Sequence, residues 1–458
     1  MAVVIYQPEF GDERQDAHNL RIVDSAERDQ RFDRATELFD GLNARDVRVI
    51  ALTWVDNSGI TRTKSVPLRR LAHAAAHGVG ASPVFDVFLF DDWIIQGRFA
   101  GGPVGDLRLH PDLDRLTVLA GQPGWAWAPA DRHFQSGVPY PMDQRLQARK
   151  AQQNLADRGF AAKAGFEIEW CVGKPGTDDW VPATSGAAYG HARQVELSDY
   201  CVDVLNALDQ QDVEVLQFHP EYAAGQFEVS TAPEDPVAAA DTAVLVKETI
   251  RAVTIRHGLR PSFSPKVVNG GVGNGGHLHF SLWRDGTNLF EGFHDEAKQF
   301  TAGVLNHIRA LCAIGCPSLA SYLRLVPHTW SAPFVAWGEE NRETALRLIR
   351  DNLEIKCFDL TANPYLVVAG VIAAGLDGIA TQATLPEGLN VDPALLDDIA
   401  RLPTSLREAV EEFEKDAVLT EAFGKELAGT IADVRRGEME RYKDASPQGI
   451  ANVTRWRH

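Results

Sequence analysis

From residue 47 onward the chain changes texture. VRVIALTWVDNSG alternates apolar and polar positions, breaks at Asp56, Asn57, Ser58 and Gly59, and resumes as ITRTKSVP. That pattern predicts a β-hairpin. The preceding residues 1–45 are polar and charged and end in a helical pattern over 31–42. Strand-like segments and turns continue to about Asp131. VPYPMDQ (138–144) reads as a Pro-containing connector, followed by a helix at QRLQARKAQQNLADRG. From residue 160, strands and helices alternate. FEIEWCV, QFEVST, HLHFSLW and LEIKCFD predict strands. SDYCVDVLNALDQQ predicts a helix with Ser198 as its N-cap. Residues 236–258 predict a long helix, and NPYLVVAGVIAAGLDGI one that opens on Pro364. Residues 393–443 read as charged, amphipathic helix. The longest apolar run, 365–376, is too short to span a bilayer and reads as a core helix. At 458 residues the chain exceeds the usual single domain. Its pattern divides into an N-terminal helical extension (1–45), a first β-rich domain (46–137) and a larger α+β domain (138–458).

The period-two segments place chemistry on one face. In HLHFSLW, His277, His279 and Ser281 oppose Leu278, Phe280 and Leu282. In FEIEW, Glu167 and Glu169 oppose Phe166 and Ile168. Glu228 is flanked by Phe227 and Val229, Glu221 precedes a turn containing Gly225, and Glu354 and Lys356 oppose Ile355. Strands of one sheet, each burying its apolar side, would gather Glu167, Glu169, Glu221, Glu228, Glu354 and His277 in one cleft. Five carboxylates there repel unless cations bind between them. Oxygen-rich ligation with one imidazole suits Mg²⁺ or Mn²⁺ better than Zn²⁺ or copper. Arg324, Arg342 and Arg347 supply guanidinium groups for an anionic substrate. Metals, arginines and a close glycine turn together indicate phosphoryl transfer.

That glycine turn, VNGGVGNGG, contains a formal G-x-G-x-x-G at Gly271, Gly273 and Gly276. A dinucleotide fingerprint needs a helix after the turn, because the pyrophosphate sits on the helix N-terminus. A strand follows here, so that reading fails.

Composition narrows the field further. The net charge of −18 argues against nucleic acid as a partner. The five cysteines are scattered and odd in number, and read as unpaired buried thiols of a reducing compartment. The first residues lack an apolar signal core, so the expected location is the cytoplasm, with no membrane segment.

Read together and in chain order, FEIEW, EYAAGQFEVS, GNGGHLHFSLW, NRETALRL and EIKCFDLTANPYLVVAGVIAAGLDGI resemble the signatures of the glutamine synthetase family, over residues 46–445. The resemblance implies an N-terminal β-grasp domain, then a catalytic domain on a curved antiparallel sheet flanked by helices. It implies an ATP-dependent ligase that phosphorylates the γ-carboxylate of glutamate and transfers the acyl group to an amine. Glu169, Glu221 and Glu228 would hold one Mg²⁺ (or Mn²⁺), and Glu167, His277 and Glu354 a second. His279 and Ser281 would face ATP. Gly273 and Arg324 would contact glutamate, with Arg342 on the transferring phosphoryl group and Arg347 on the ATP phosphates. Family members form two stacked hexameric rings.

Three departures bear on the acceptor. The family's Phe-Asp-Gly-Ser-Ser latch is absent from GVGASPVFDVFLFDD, although Asp86, Asp91 and Asp92 are nearby. The flap reads Pro327-His-Thr-Trp-Ser-Ala-Pro333, without the family's glutamate and with Trp330, which suits an organic amine. Lys356 replaces an arginine and keeps its charge without the planar fork. HPEY, EIK and the tryptophan-bearing flap are most similar to the γ-glutamylamine ligase branch, which includes the γ-glutamylpolyamine synthetases. The expectation is an organic amine, possibly a polyamine, as acceptor. An ammonia-using glutamine synthetase is one alternative. A non-catalytic relative is another, which the six retained metal ligands oppose. LPEGLNVDPALLDDIARLP lacks the tyrosine that the family's adenylylation control requires.

Overall fold

The computed structural model describes residues 22–458. The first sheet contains β1 (Val49–Val55), β2 (Thr61–Pro67), β3 (Val79–Ala81), β4 (Leu107–Pro111), β5 (Thr117–Val118) and β6 (Trp125–His133). Its order is β2-β1-β6-β4-β3, with β5 on β6. The predicted hairpin is β1–β2, turning at Gly59. β1 runs parallel to β6. Alternate residues of β1, Ile50, Leu52 and Trp54, are buried against Leu71, Ala75, Leu109 and Ala128. Helix Ser25–Ala44 covers this layer through Ala35 and Leu42. It is longer than the predicted 31–42 because Asp24 accepts from the Glu27 amide and caps it. The rest of the N-terminal extension, 1–21, lies outside the described residues.

The second sheet contains β7 (Ala161–Gly173), β8 (Val215–Pro220), β9 (Gln226–Thr231), β10 (Arg260–Ser262), β11 (Gly276–Arg284), β12 (Thr287–Asn288), β13 (Phe334–Glu339), β14 (Thr344–Ile349) and β15 (Asn352–Ile355). The order is β13-β14-β15-β11-β7-β9-β8, with β10 on β7 and β12 on β11. It is antiparallel throughout except for the parallel pair β13–β14. Helices Gln144–Asp157, Pro236–Arg256, Asp295–Gly315 and Pro364–Ala380 pack together behind it. Phe166, Ile168, Phe227, Val229, Leu278, Phe280 and Ile355 point into that helical layer, each 5% exposed or less. Burying one such side chain contributes about 1.5–3 kcal/mol, so the apolar set fixes which face remains for chemistry.

Ser198 is the first residue inside its helix, not the cap. Leu197 holds the cap position, because the short helix His191–Glu196 leads directly into Ser198–Asp209. The strand predicted at LEIKCFD ends at Ile355. The predicted 393–443 helix is a single turn at Pro393–Leu395, an irregular stretch, then Leu406–Lys415 and Ala417–Arg441 with a break at Gly424. Pro364 does open its helix, capped by Asn363. All five cysteines are buried and free. Among the described residues, no helix is long and apolar enough to cross a membrane.

Candidate active site

Cross-strand register assembles the site. Glu167 stands opposite His277, and Glu169 opposite Glu228. His219 stands opposite Glu228, His279 opposite Glu354, and Glu354 opposite Arg347. Directly paired residues share a face, so one continuous polar row crosses β8, β9, β7, β11, β15 and β14. The row lines a cleft of about 740 Å³.

His277 is the hub and only 2% exposed. Its Nδ1 lies 2.9 Å from Glu167 and 3.3 Å from Glu354, and its Nε2 lies 3.7 Å from Glu169. Arg324 donates toward His277 Nε2 at 3.3 Å and to the Cys357 carbonyl at 2.8 Å. Glu169 accepts from the Gly275 amide and from Gln226 Nε2, both at 2.9 Å. His279 contacts Glu167 at 3.1 Å and Asn352 at 2.8 Å.

The glycine turn exists to let these groups approach. A Cβ on Gly275 would meet His277 Nε2 at 2.2 Å and Glu169 Oε1 at 2.9 Å. One on Gly273 would meet the Pro265 carbonyl at 2.3 Å and Arg324 Cγ at 2.8 Å. Gly276 begins β11, so the glycines serve close packing against a strand, as the failed dinucleotide context implied.

Three groups of ligand atoms lie within 4.8 Å of one another: Glu167, His277 and Glu354; Glu169, Glu228 and His277; and His219, Glu221 and Glu228. The first is the second expected metal set. The other expected set, Glu169, Glu221 and Glu228, is divided between two groups that share Glu228. Glu221 lies just beyond the end of β8 and gathers with His219, whose Nδ1 is 3.6 Å away. Glu354 lies at the base of the cluster, 1% exposed, with Lys356 at 3.7 Å and Arg347 at 3.1 Å. Gly273, Arg324, Trp330, Arg342, Arg347 and Lys356 all line the cleft. Arg347 also pairs with Glu340. Ser281 lies on the same face but outside the cleft lining, where it accepts from the Trp283 indole at 2.8 Å.

Electrostatics record the crowding. Burial pushes Glu228 up to about 7, reinforced by Glu167 and Glu169. The hydrogen bond to Glu228 pushes His219 up to about 9. This pair therefore holds a proton through neutral pH. Burial also raises Glu221, with Glu169 adding to it. Burial opposes ionisation of Glu167, but hydrogen bonds from His277 and His279 carry it well below the carboxylate range. His279 rises to about 9, its burial outweighed by Glu167. The protons that compensate closely packed carboxylates are what hard divalent cations displace when they bind. The donor set is oxygen-rich with one imidazole per group, and it fits Mg²⁺ or Mn²⁺.

His219 and Gln226 were not singled out as site residues in the sequence. Gln226 does share the period-two face of Glu228. His219 precedes Glu221 by two residues, but only the β8–β9 register turns it onto Glu228.

A carboxylate-lined face ringed by arginines has the chemistry to hold divalent cations and an anionic substrate. Residues 141–450 match the family described as glutamine synthetase, catalytic domain. The chain is 53% identical to the γ-glutamylpolyamine synthetase GlnA3 of Streptomyces coelicolor, over 93% of this chain and 97% of that one. It is 28% identical to a γ-glutamylanilide synthase of Acinetobacter sp., over 93% and 95%. A solved GmaS/ADP complex superposes with a TM-score of 0.82 at 30% identity, covering 89% of this chain and 97% of that one. The chain belongs to the glutamine synthetase family, whose enzymes use ATP and divalent metal ions.

Proposed function

We propose that this protein is an ATP-dependent ligase joining the γ-carboxylate of glutamate to an organic amine, with a polyamine as the favoured acceptor class. The observation that carries this reading is Trp330. Its indole is 55% exposed at the cleft, facing Tyr222 with ring centroids 6.5 Å apart. Two aromatic faces over an acidic cleft attract an alkylammonium by cation–π contact and apolar packing. Ammonium would need close anionic partners, and the aspartates of the segment that stands where the family has its latch are engaged elsewhere in this chain. Asp86 pairs with Arg132 at 2.6 Å, Asp92 with Arg62 at 2.7 Å, and Asp91 with Arg441. The names of the γ-glutamylpolyamine synthetase and γ-glutamylanilide synthase relatives support the same reading.

A carboxylate is a poor electrophile, so ATP first phosphorylates the γ-carboxylate. The amine then displaces phosphate from the acyl phosphate and forms the amide. Arg324, buried beside Gly273, would hold glutamate. Arg342, without a side-chain partner among the described residues, is free to neutralise the transferring phosphoryl group. Arg347 and His279 would face the nucleotide, and Ser281 lies farther along the same face. Lys356 adds positive charge beside Glu354. Glu167, His277 and Glu354 would hold one Mg²⁺ or Mn²⁺, and Glu169, Glu221 and Glu228 a second. Bound there, the cations supply charge neutralisation for phosphoryl transfer.

No residue of the first sheet lines this cleft. That leaves room for a neighbouring subunit to complete each site, as in the two stacked hexameric rings the family resemblance implies, and the five buried free cysteines support the cytoplasm as its setting.

Phosphate release with glutamate, ATP, Mg²⁺ and a panel of amines tests the proposal. Linear diamines and polyamines are expected to give higher kcat/KM than ammonium. The highest value with ammonium would make this an ordinary glutamine synthetase.

A further inference from the structure

The flap that carries Trp330 is fastened from outside by two charged side chains. Arg401 clasps its base, donating to the Leu325 carbonyl at 3.0 Å and the Pro333 carbonyl at 3.1 Å. Within the loop, the Ser331 and Thr329 hydroxyls both donate to the Val326 carbonyl. At the tip, the Trp330 amide donates to Glu343 Oε1 at 2.8 Å, the backbone hydrogen bond that reaches Trp330 from outside the loop. Glu343 is 7% exposed, and its second oxygen has no hydrogen-bond partner. It sits in the β13–β14 turn, where Asn341 accepts from the Glu343 amide and donates to the Leu389 and Val391 carbonyls. The supported segment is conformationally demanding. His328, Trp330 and Ala332 have φ of +62°, +51° and +57°, values a non-glycine residue keeps only where its surroundings hold it.

A buried carboxylate with a single strong hydrogen bond is costly, and that bond ends on the residue whose indole overhangs the cleft. We propose that Glu343 is a positioning residue for amine recognition: it fixes the Trp330 peptide so that the indole and the Tyr222 ring form the two walls of the amine entrance. Glu343 does not line the cleft and acts through Trp330. This inference rests on the organic-amine reading above.

The test compares wild type, Glu343→Ala, Glu343→Gln, Trp330→Ala and the double variant Glu343→Ala/Trp330→Ala. The acceptor is 1,4-diaminobutane, with glutamate, ATP and Mg²⁺ present. Loss of a hydrogen bond to a charged group predicts a rise of about tenfold or more in the diamine KM for Glu343→Ala. The KM values for glutamate and ATP should stay unchanged. Glu343→Gln keeps an acceptor oxygen and should restore most of the loss. The double variant should match Trp330→Ala, because Glu343 has nothing left to position. An unchanged diamine KM in Glu343→Ala overturns the inference. So does an equal loss across all three substrates that Gln fails to rescue, or additive effects in the double variant. If wild type instead prefers ammonium, the organic-amine reading itself fails, an outcome distinct from these.

Discussion

Gly275 carries more of the site than any single ligand. Its amide donates to Glu169, and its missing side chain leaves room for the His277 imidazole. Gly275→Ala must move the turn or the imidazole. Losing a hydrogen bond that orients a metal ligand, as the Gly275 amide orients Glu169, weakens metal binding by about 10–100-fold. Calorimetric titration with Mn²⁺ is expected to show that loss. Gly41→Ala is the control, since a Cβ there meets nothing within 4 Å and sits inside a helix. It should leave binding intact and add about 0.5–1 kcal/mol of stability. The titrations add a second expectation. Glu228, pushed up to about 7, must lose its proton before it can ligate. Mn²⁺ affinity should therefore climb by about tenfold per pH unit below 7 and flatten above it. In the metal-free protein the sign is opposite. A carboxyl with a raised folded-state value stabilises below its unfolded value, and that contribution is lost as pH rises through about 7. Metal should thus stabilise the protein most at alkaline pH, which thermal unfolding with and without Mn²⁺ will register.

At the scale of elements, period two was enough to place His277, His279, Glu167, Glu169, Glu228 and Glu354 on polar faces. Burial of Leu278, Phe280, Ile168 and Val229 leaves a strand no other orientation. What alternation does not contain is register. Nothing in HPEY says that His219 will face Glu228, or that Glu221 will gather with that pair rather than with Glu169. Those relations depend on where the β8–β9 hairpin turns and on a register shift near its start. Glu343 was equally hidden. In NRETALRL it reads as an ordinary solvent-facing acid, and only the meeting of the β13–β14 turn with the flap buries it. Cap assignment failed for a related reason. Ser198 has the right chemistry for a cap, but tertiary packing runs one helix into the next.

For the whole molecule, the two sheets are joined through buried charge rather than a shared β-ladder. Arg145 binds Asp131 of the first sheet and Asp241 of the helix behind the second, each at 2.7 Å. Asp112 joins the same group at 2.7 Å. Removing one member of such a network costs about 3–5 kcal/mol. The first sheet is thereby held firmly while contributing nothing to its own chain's cleft. If a neighbour's sheet closes each site, activity should depend on assembly. Light scattering is expected to report a particle of twelve chains. Dilution or mild urea that releases single chains should abolish phosphate release before the fold is lost by circular dichroism. Activity in isolated chains would remove the shared-site reading.

The external fastening of the flap bears on redesign. Its backbone is held at the tip by Glu343 and at the base by Arg401, and on its flank Asp392 lies 3.5 Å from the His328 imidazole. Residues 326–333 are therefore not a portable cassette. Grafted alone into a relative, they would carry the indole without its anchorage, and acceptor preference would not travel with them. A transferable unit must bring at least Glu343 and Arg401, positions that a loop-by-loop exchange would leave behind.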